Sequence, residues 1–428
     1  MLNLGFVERT GKQSVARIGI AGCGIGGLAT ALFLHAQGHE VCLFERFNKP
    51  SPLGSGLLLQ PTGQAVLARL GLLDVVQANG ARIDRLFGSA APHGRTIFDL
   101  TYDRLGPGRF GIGVHRASLF QALWHKVGEL AIKVIVNTHL VSRAFDGPQS
   151  FLIDQAGERF GPFDLVVDAS GSHSDLAKSL GANSPKPFAY GAVWASPLNT
   201  SEIRNTLSQR YVNAHTMVGL LPVGQVPEDP RPRVAFFWSL KPELYPTWVD
   251  QFEVWKKDVV ALWPETEEIV AQFSAPSDLT LARYGQRTLK RPFAPGLVHI
   301  GDAAHQTSPQ LGQGANSALL DAAILADTIA LSGLDDVGAR FAKARRAPIQ
   351  FYQAASWLLT PFFQSDIQFL ALLRDLMFQP LAAIPYFRTE MTKTFAGMKT
   401  GLLTSSAPDK LAQLTSTERL KLSVAGHK

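Results

Sequence analysis

The chain has 428 residues, of which 46% are hydrophobic and 18% charged. That is enough apolar material for a large core and more than one domain, and it excludes a disordered or fibrous chain. The formal net charge is 41 − 35 = +6 and the pI near 9.3, so anions are favoured partners; the lysines and arginines are scattered, with no run interleaved with aromatics, which argues against nucleic acid.

Residues 1–14 are mixed polar and lack an apolar stretch before a small-residue cleavage site, so no signal peptide is expected. No segment offers the roughly 18 uncharged apolar residues of a membrane span, and a cytoplasmic protein is expected. Cys23 and Cys42 are too few for a disulfide framework and have no metal-ligand spacing, so no metal site is expected and both read as inert thiols in a reducing compartment.

In chain order, 16–21 predicts a buried strand, 22–27 a turn and 28–37 a helix stopped by Gly38. A second strand at 40–44 ends at Glu45. This is a βαβ unit with a right-handed crossover. A loop follows at 50–56, then a helix at 62–70. Strands are expected around Leu86 and at 96–100, a helix at 117–127 after Arg116, and buried strands at 133–137 and 165–168. From 190 to 242 the alternation lengthens, in runs at 190–195, 217–221 and 233–240. These predict an antiparallel sheet with Pro- and Gly-rich connections such as 222–232. A strand at 297–300 returns to the first domain, a helix follows at 316–331, and apolar helices interrupted by Pro361, Pro380 and Pro385 run from 342 onward.

The expected class is therefore α/β. A Rossmann-like domain (15–85, 112–188 and 285–340) is interleaved with an antiparallel-sheet domain (86–111 and 189–284), and 341–428 is a C-terminal helical region.

Gly22-Cys-Gly24-Ile25-Gly26-Gly27 satisfies G-x-G-x-x-G between a strand and a helix. The first glycine makes the turn, the second lets backbone approach a pyrophosphate, and the last lets helix and strand pack closely. The helix N-terminus then aims free N–H groups at the phosphates. Glu45 lies 45 − 22 = 23 positions after Gly22, near the spacing of about 20 for the carboxylate that holds the adenosine ribose. An acid there favours a free 2′-hydroxyl, as in FAD or NAD.

A second motif separates these two. Gly301-Asp302-Ala-Ala-His305 follows a strand, then come Pro309, Gly312-Gln-Gly314-Ala315-Asn316 and a helix bearing Asp321. Here the chain resembles the class A flavoprotein aromatic hydroxylases, the para-hydroxybenzoate hydroxylase type with its glutathione reductase-like FAD domain. The resemblance implies that Asp302 binds the ribityl or pyrophosphate region, and that Gly312, Gly314, Ala315 and Asn316 lie beside the flavin. It also implies cofactor contacts from Ile25, Gly26 and Arg46, from Gly56 in a loop near the flavin, from Arg116 in His115-Arg-Ala-Ser-Leu119, and from Leu140 at the adenine. His305 and Pro309 fall near the flavin by family position. In the C-terminal region, 361–366, 370–375, Pro385 and 397–398 resemble the ubiquinone-biosynthesis branch.

One segment departs from the family. Where many members carry G-A-D-G-x-H-S-x-V-R, this chain has Asp168-Ala-Ser170-Gly171-Ser-His173-Ser174-Asp-Leu-Ala177. D-A-S-G is similar to flavin halogenases and some isoprenoid reductases, although no W-x-W-x-I-P stretch accompanies it.

The implied activity is an FAD-dependent monooxygenase hydroxylating an aromatic or quinone-like small molecule with molecular oxygen and NADH or NADPH, through a C4a-hydroperoxyflavin. A related halogenase or reductase is the alternative. The second domain offers Tyr190, Trp194, Tyr211, His215, Phe236, Phe237 and Trp238, of which alternation turns half to the pocket. Tyr211 and His215 are the candidates for polarising a phenol. A monomer or homodimer is expected, and the apolar C-terminal helices suit a pocket lid, a dimer contact or a peripheral membrane contact.

Overall fold

The computed structural model describes residues 15–48, 55–91 and 94–409. The polar N-terminus, most of the loop at 50–56 and the last part of the C-terminal region lie outside the described residues.

The βαβ pattern at the N-terminus builds a parallel sheet. Its strand order is Leu297–His299, Leu165–Asp168, Arg17–Ala21, Glu40–Phe44 and Lys133–Ile135, with the short Phe293–Ala294 antiparallel at one edge. The central strand pairs on both sides, Ile18 with Leu165 and with Val41. It is covered on both faces, which explains why it reads as a continuous apolar run. Helices Ile25–Ala36, Arg116–Glu129 and Gly314–Ser332 pack together on one side. The other side is covered by a three-stranded antiparallel sheet, Leu140–Asp146, Gln149–Asp154 and Arg159–Phe163, whose Leu152 and Phe163 meet Phe44 and Val166. Glycine at position 19 leaves room beneath them, because a Cβ there would approach the Phe163 ring to 3.0 Å and press it outward.

Helix Gly314–Ser332 is long and apolar enough to cross a membrane, but half of it is buried in the protein. Its Leu319, Ala322 and Ala323 are fully buried, and it packs along Ile25–Ala36. It is a core helix.

The second sheet has seven strands. Thr280–Ala282, Gly191–Ala195, Asp229–Leu240, Thr216–Val226 and Thr206–Val212 run antiparallel in that order, and Thr206–Val212 then pairs in parallel with Arg85–Ala90, beside Arg95–Thr101. The expected connection at 222–232 is instead the tip of a long hairpin. Its register shifts around Gly224, and such irregularities accommodate prolines in a ladder. One face carries helices Tyr245–Asp250, Phe252–Leu262 and Glu267–Val270, which seat Trp248, Trp255 and Trp263 against Val218 and Phe236. Strand alternation gave no sign of these helices.

The opposite face is roofed by the C-terminal helices Val337–Phe363, Gln368–Ala383 and Pro385–Phe395. Two of the three expected breaks are absent. Pro361 and Pro380 lie inside helices, each within a turn of the C-terminal end, where a missing N–H removes a single bond from a long helix. Pro385 does begin a new helix, at a position where its N–H would be unused.

Candidate functional site

A cleft of about 1550 Å³, counting its open mouth, runs along the C-terminal edge of the parallel sheet. That edge is where open α/β sheets bind ligands. Gly22, Gly24, Ile25 and Gly26 line one wall, Glu45 and Arg46 the next, and Arg116, Leu140, Asp302, Gly314 and Ala315 complete it.

Local backbone chemistry sets this geometry. Gly22 has φ +99°, and its N–H donates to the Phe44 carbonyl at 2.8 Å, locking the turn to the second strand. Gly27 lies beneath the cleft, where a Cβ would run into the Gly22 carbonyl oxygen. Gly24 faces open space. Gly27→Ala is therefore expected to disrupt the turn and abolish FAD retention, whereas Gly24→Ala folds and loses affinity only. Flavin absorbance of the purified proteins checks this, and a yellow Gly27→Ala protein would refute it.

Two helices begin at the cleft, at Ile25 and at Gly314. Neither has a side-chain cap or an acid in its first turn, so both present free N–H groups and the positive end of the helix dipole. Glu45 Oε2 accepts from the Cys23 N–H at 2.9 Å and Oε1 from the Phe47 N–H at 3.2 Å. Those bonds aim the carboxylate across the cleft with lone pairs left for hydroxyls. Cys23 is a free thiol, pushed far up by burial and by the Glu45 charge, and so inert.

Arg116 opens its helix behind His115, whose Nδ1 accepts from the Ala117 N–H at 3.2 Å. Burial, helped by Arg233, lowers His115 to about 4, so the cap is neutral and the accepting nitrogen stays unprotonated.

Asp302 is accessible from the cleft, while the protein walls around it push its carboxyl up against the pull of His305, Arg116 and Arg287. Behind it, Asp321 fixes the loop. Its Oδ2 accepts from the Gly301 N–H at 2.8 Å and pairs with His305 Nε2 at 2.6 Å, and its Oδ1 accepts from Arg345 Nε at 2.5 Å. The two uncapped helix ends, the ribose-facing carboxylate and the cleft-facing Asp302 together fit FAD.

Several expected site residues sit elsewhere. Asn316 is fully buried: its Oδ1 accepts from the Gln60 N–H at 2.9 Å, and its Nδ2 donates to the Leu58 and Gly312 carbonyls at 3.0 Å. It ties the two loops together and does not line the cleft. Gly312, with φ +62°, closes the turn before Gly314, and Gly56 packs against Val223 and Ala235 between the domains; neither lines the cleft.

The catalytic candidates need correction. Tyr211 has no accessible surface: its ring lies between Phe98, Phe363 and the Arg374 guanidinium, and its hydroxyl donates to Gln209 Oε1 at 2.9 Å. Burial pushes its phenol far up, and with no surface exposed the hydroxyl cannot reach a substrate. His215 is exposed in the turn between strands Thr206–Val212 and Thr216–Val226, with Nδ1 on Thr216 Oγ1 at 2.8 Å. That turn is at the far end of the hairpin from Pro222, which meets the strand Gly111–His115. His305 is buried and engaged by Asp321, a structural role. Pro309 is exposed at the start of a tight turn.

Two groups escaped the sequence reading. Ser170, noted only as a departure, lines the cleft and donates to Asp168 Oδ1 at 2.5 Å. Tyr284 lies on the segment that returns from the second sheet to the first domain, where its hydroxyl accepts from Trp194 Nε1 at 2.6 Å. No motif marks it, since Trp194 is 90 positions away.

Comparison with known proteins gives the same picture. A family model described as FAD binding domain matches residues 15–333. The chain is similar to 3-amino-4-hydroxybenzoate 2-monooxygenase of Streptomyces cremeus, with 28% identity over 72% of this chain and 77% of that one. It is also similar to 6-hydroxynicotinate 3-monooxygenase of Bordetella bronchiseptica, with 25% identity over 77% and 86%. Among solved structures, Klebsiella pneumoniae HpxO complexed with FAD and uric acid matches with TM-score 0.75 and 18% identity over 89% of this chain and 97% of that one.

Proposed function

The chain belongs to the FAD-binding-domain family and is an FAD-dependent monooxygenase, and on that premise we propose that it hydroxylates a small aromatic or quinone-like molecule at the junction of its two sheets. The observation that carries this reading is a single cleft lined by both Glu45 and Asp302, 257 positions apart (302 − 45), together with the two uncapped helix ends. The chemistry that bound FAD supplies is activation of molecular oxygen after reduction by NADH or NADPH.

The chain's own residues do the rest. Glu45 would hold the ribose hydroxyls of bound FAD, the helix ends at Ile25 and Gly314 its pyrophosphate, and Asp302 would accept from its ribityl hydroxyls. The C-terminal helices roof the inner face of the second sheet, with Phe363, Phe395 and Ala396 packed on Phe98, Met217 and Phe237, and keep water from the reacting carbon. Tyr284 does not line the cofactor cleft, but it is half-buried and close enough to Arg116 on the cleft wall to feel its charge, and we assign it the role first given to Tyr211. Burial pushes its phenol up despite the bond from Trp194 and the nearby Arg116 charge, so it stays protonated. With Trp194 donating to its oxygen, its own proton is available to a substrate oxygen. Tyr284→Phe is expected to lower kcat/KM about tenfold with the Kd for FAD unchanged, the size of one lost hydrogen bond. An unaltered kcat/KM across the substrates turned over would remove Tyr284 from the site.

The activity itself is tested by purifying the protein, recording its flavin spectrum, and following NADH and NADPH oxidation with oxygen uptake over a panel of phenols. A colourless protein that cannot be reconstituted with FAD overturns the reading. Ser170 on the cleft wall favours a second reading, a halogenase or reductase. A yellow protein inert to both nicotinamides with every phenol supports that one instead.

A further inference from the structure

Asp302 opens a helix of a single turn, Asp302–His305. A turn that short is not stable alone, because nucleation fixes several dihedrals for very few bonds and the last carbonyls have no partner inside it. Those carbonyls, from Ala303 to Gln306, are met from outside. The Ala303 carbonyl accepts from Arg287 Nη2 at 3.0 Å, and the Ala304 carbonyl from the Leu289 N–H at 2.8 Å. The His305 and Gln306 carbonyls accept from Gln353 Nε2 at 3.1 and 3.0 Å, and the Gln306 carbonyl also from the Arg287 N–H at 3.0 Å.

Arg287 and Leu289 belong to the segment that returns from the second sheet and runs beside the turn. Gln353 comes from elsewhere. It lies on the helix Val337–Phe363, beyond residues 15–333 that the FAD binding domain model matches. Its Oε1 accepts from Gln286 Nε2 at 2.8 Å. One amide thus joins the cofactor turn, the return segment two residues from Tyr284, and the long helix of the roof.

The same helical face continues the pattern. Ser356 and Thr360 follow Gln353 at i+3 and i+7, and both hydroxyls lie 3.0 Å from Ser308 Oγ. Ser308 accepts from the Gln310 N–H at 3.3 Å, at the start of the tight turn that leads to Gly314. Gln353, Ser356 and Thr360 are all buried. A helix that served only as a cover would be better served there by apolar side chains, since a buried amide or hydroxyl costs free energy unless it is bonded. The stripe meets the middle of a loop whose two ends, Gly301-Asp302 and Gly314-Ala315, line the cleft.

We propose that Gln353 is a positioning residue for the cofactor. It caps the single turn from behind and so holds Asp302 toward the cleft, while Ser356 and Thr360 hold the turn before Gly314. Gln353 itself does not line the cleft. The proposal rests on the FAD reading above, and it makes the long C-terminal helix part of the cofactor site.

Fluorescence titration of FAD into the full-length apo protein tests it. Gln353→Met keeps the side chain's length and removes its hydrogen bonds. The Kd for FAD is expected to rise about tenfold, the size of one lost hydrogen bond, and the visible circular dichroism of the bound flavin to change. Tyr352→Phe controls for a general weakening of the helix. It removes the bond to the Thr394 carbonyl at 3.2 Å and the bond from the Lys399 N–H at 3.1 Å, neither of which is on the cofactor loop. It is expected to leave the Kd for FAD within about twofold of wild type. If Gln353→Met does not fold, Ser356→Ala, which deletes a single oxygen, takes its place with an expected rise of roughly threefold and the same change in the flavin signal. A Kd and a flavin signal unchanged from wild type in the variant that folds overturn the proposal. An equal rise in Tyr352→Phe overturns it too, because the helix would then matter only as structure. A wild type that binds no FAD overturns the reading on which it rests as well.

Discussion

Asp321→Ala is expected to lower the unfolding free energy by about 3–5 kcal/mol, the cost of removing one partner from a buried ion pair. The carboxylate is fully buried and accepts from three groups on three parts of the chain: Gly301 in the cofactor loop, His305 after it, and Arg345 on the long C-terminal helix. Without it, the Arg345 guanidinium, only 5% exposed, keeps its charge with no carboxylate to face. Urea denaturation of apo wild type and variant measures the difference, and a change below about 1 kcal/mol would mean that the charges are solvated in another way.

The same network makes a pH prediction. Burial alone would raise the Asp321 carboxyl, but His305 and Arg345 outweigh it and hold it down at about 2, below its ordinary 3.8. A depressed folded pKa contributes stability that is fully present above the unfolded value and is lost as pH falls through 3.8 toward 2. By this linkage about 1 kcal/mol of the contribution is gone at about pH 3. Asp321→Asn cannot titrate. The stability gap between wild type and Asp321→Asn should therefore narrow by that amount between about pH 5 and pH 3, and a constant gap would contradict the assignment.

What could be read from sequence, and what could not, follows from the range of each constraint. The glycine turn, Glu45 and Asp302 were legible because each is fixed by local backbone demands: a positive φ at Gly22, a strand end at Glu45, a helix start at Asp302. Asn316 belongs to the same motif, yet its amide turns inward to Gln60, 256 positions away, and nothing local distinguishes that from a flavin contact. Tyr211 and His215 failed for a different reason. Alternation places half of a strand's residues on each face but does not say that a later helix covers one of them, as Phe363 and Arg374 cover Tyr211. Nor does it show that the strand has ended before His215. Trp194 and Tyr284 meet only because strand Thr280–Ala282 returns beside Gly191–Ala195, a pairing of sheet edges that no spacing rule encodes.

Asp302→Ala and Asp168→Ala are expected to fail in opposite ways, and the contrast separates cofactor binding from architecture. Asp168 is fully buried. Its Oδ2 pairs with His299 Nδ1 at 2.6 Å and accepts from Ser174 Oγ at 2.5 Å, while Oδ1 accepts from Ser170 Oγ at 2.5 Å. Burial would raise its carboxyl, but His299 and the two serines hold it below the ordinary range, so it is an engaged carboxylate. Removing it strands several buried donors, each costing about 1–3 kcal/mol, and apo stability should fall by that order. Asp302 faces the cleft, and its carboxyl is raised rather than stabilised in the apo protein. Removing it should leave apo stability within about 0.5 kcal/mol of wild type. Yet FAD affinity should drop roughly 10- to 100-fold, the value of one charge-assisted hydrogen bond to a hydroxyl. Fluorescence titration of FAD into each apo protein, with urea denaturation alongside, gives both quantities. Equal FAD affinities in wild type and Asp302→Ala would move the flavin away from Asp302. An Asp302→Ala protein as unstable as Asp168→Ala would make Asp302 a structural residue and leave Glu45 and the two helix ends as the groups that hold the cofactor.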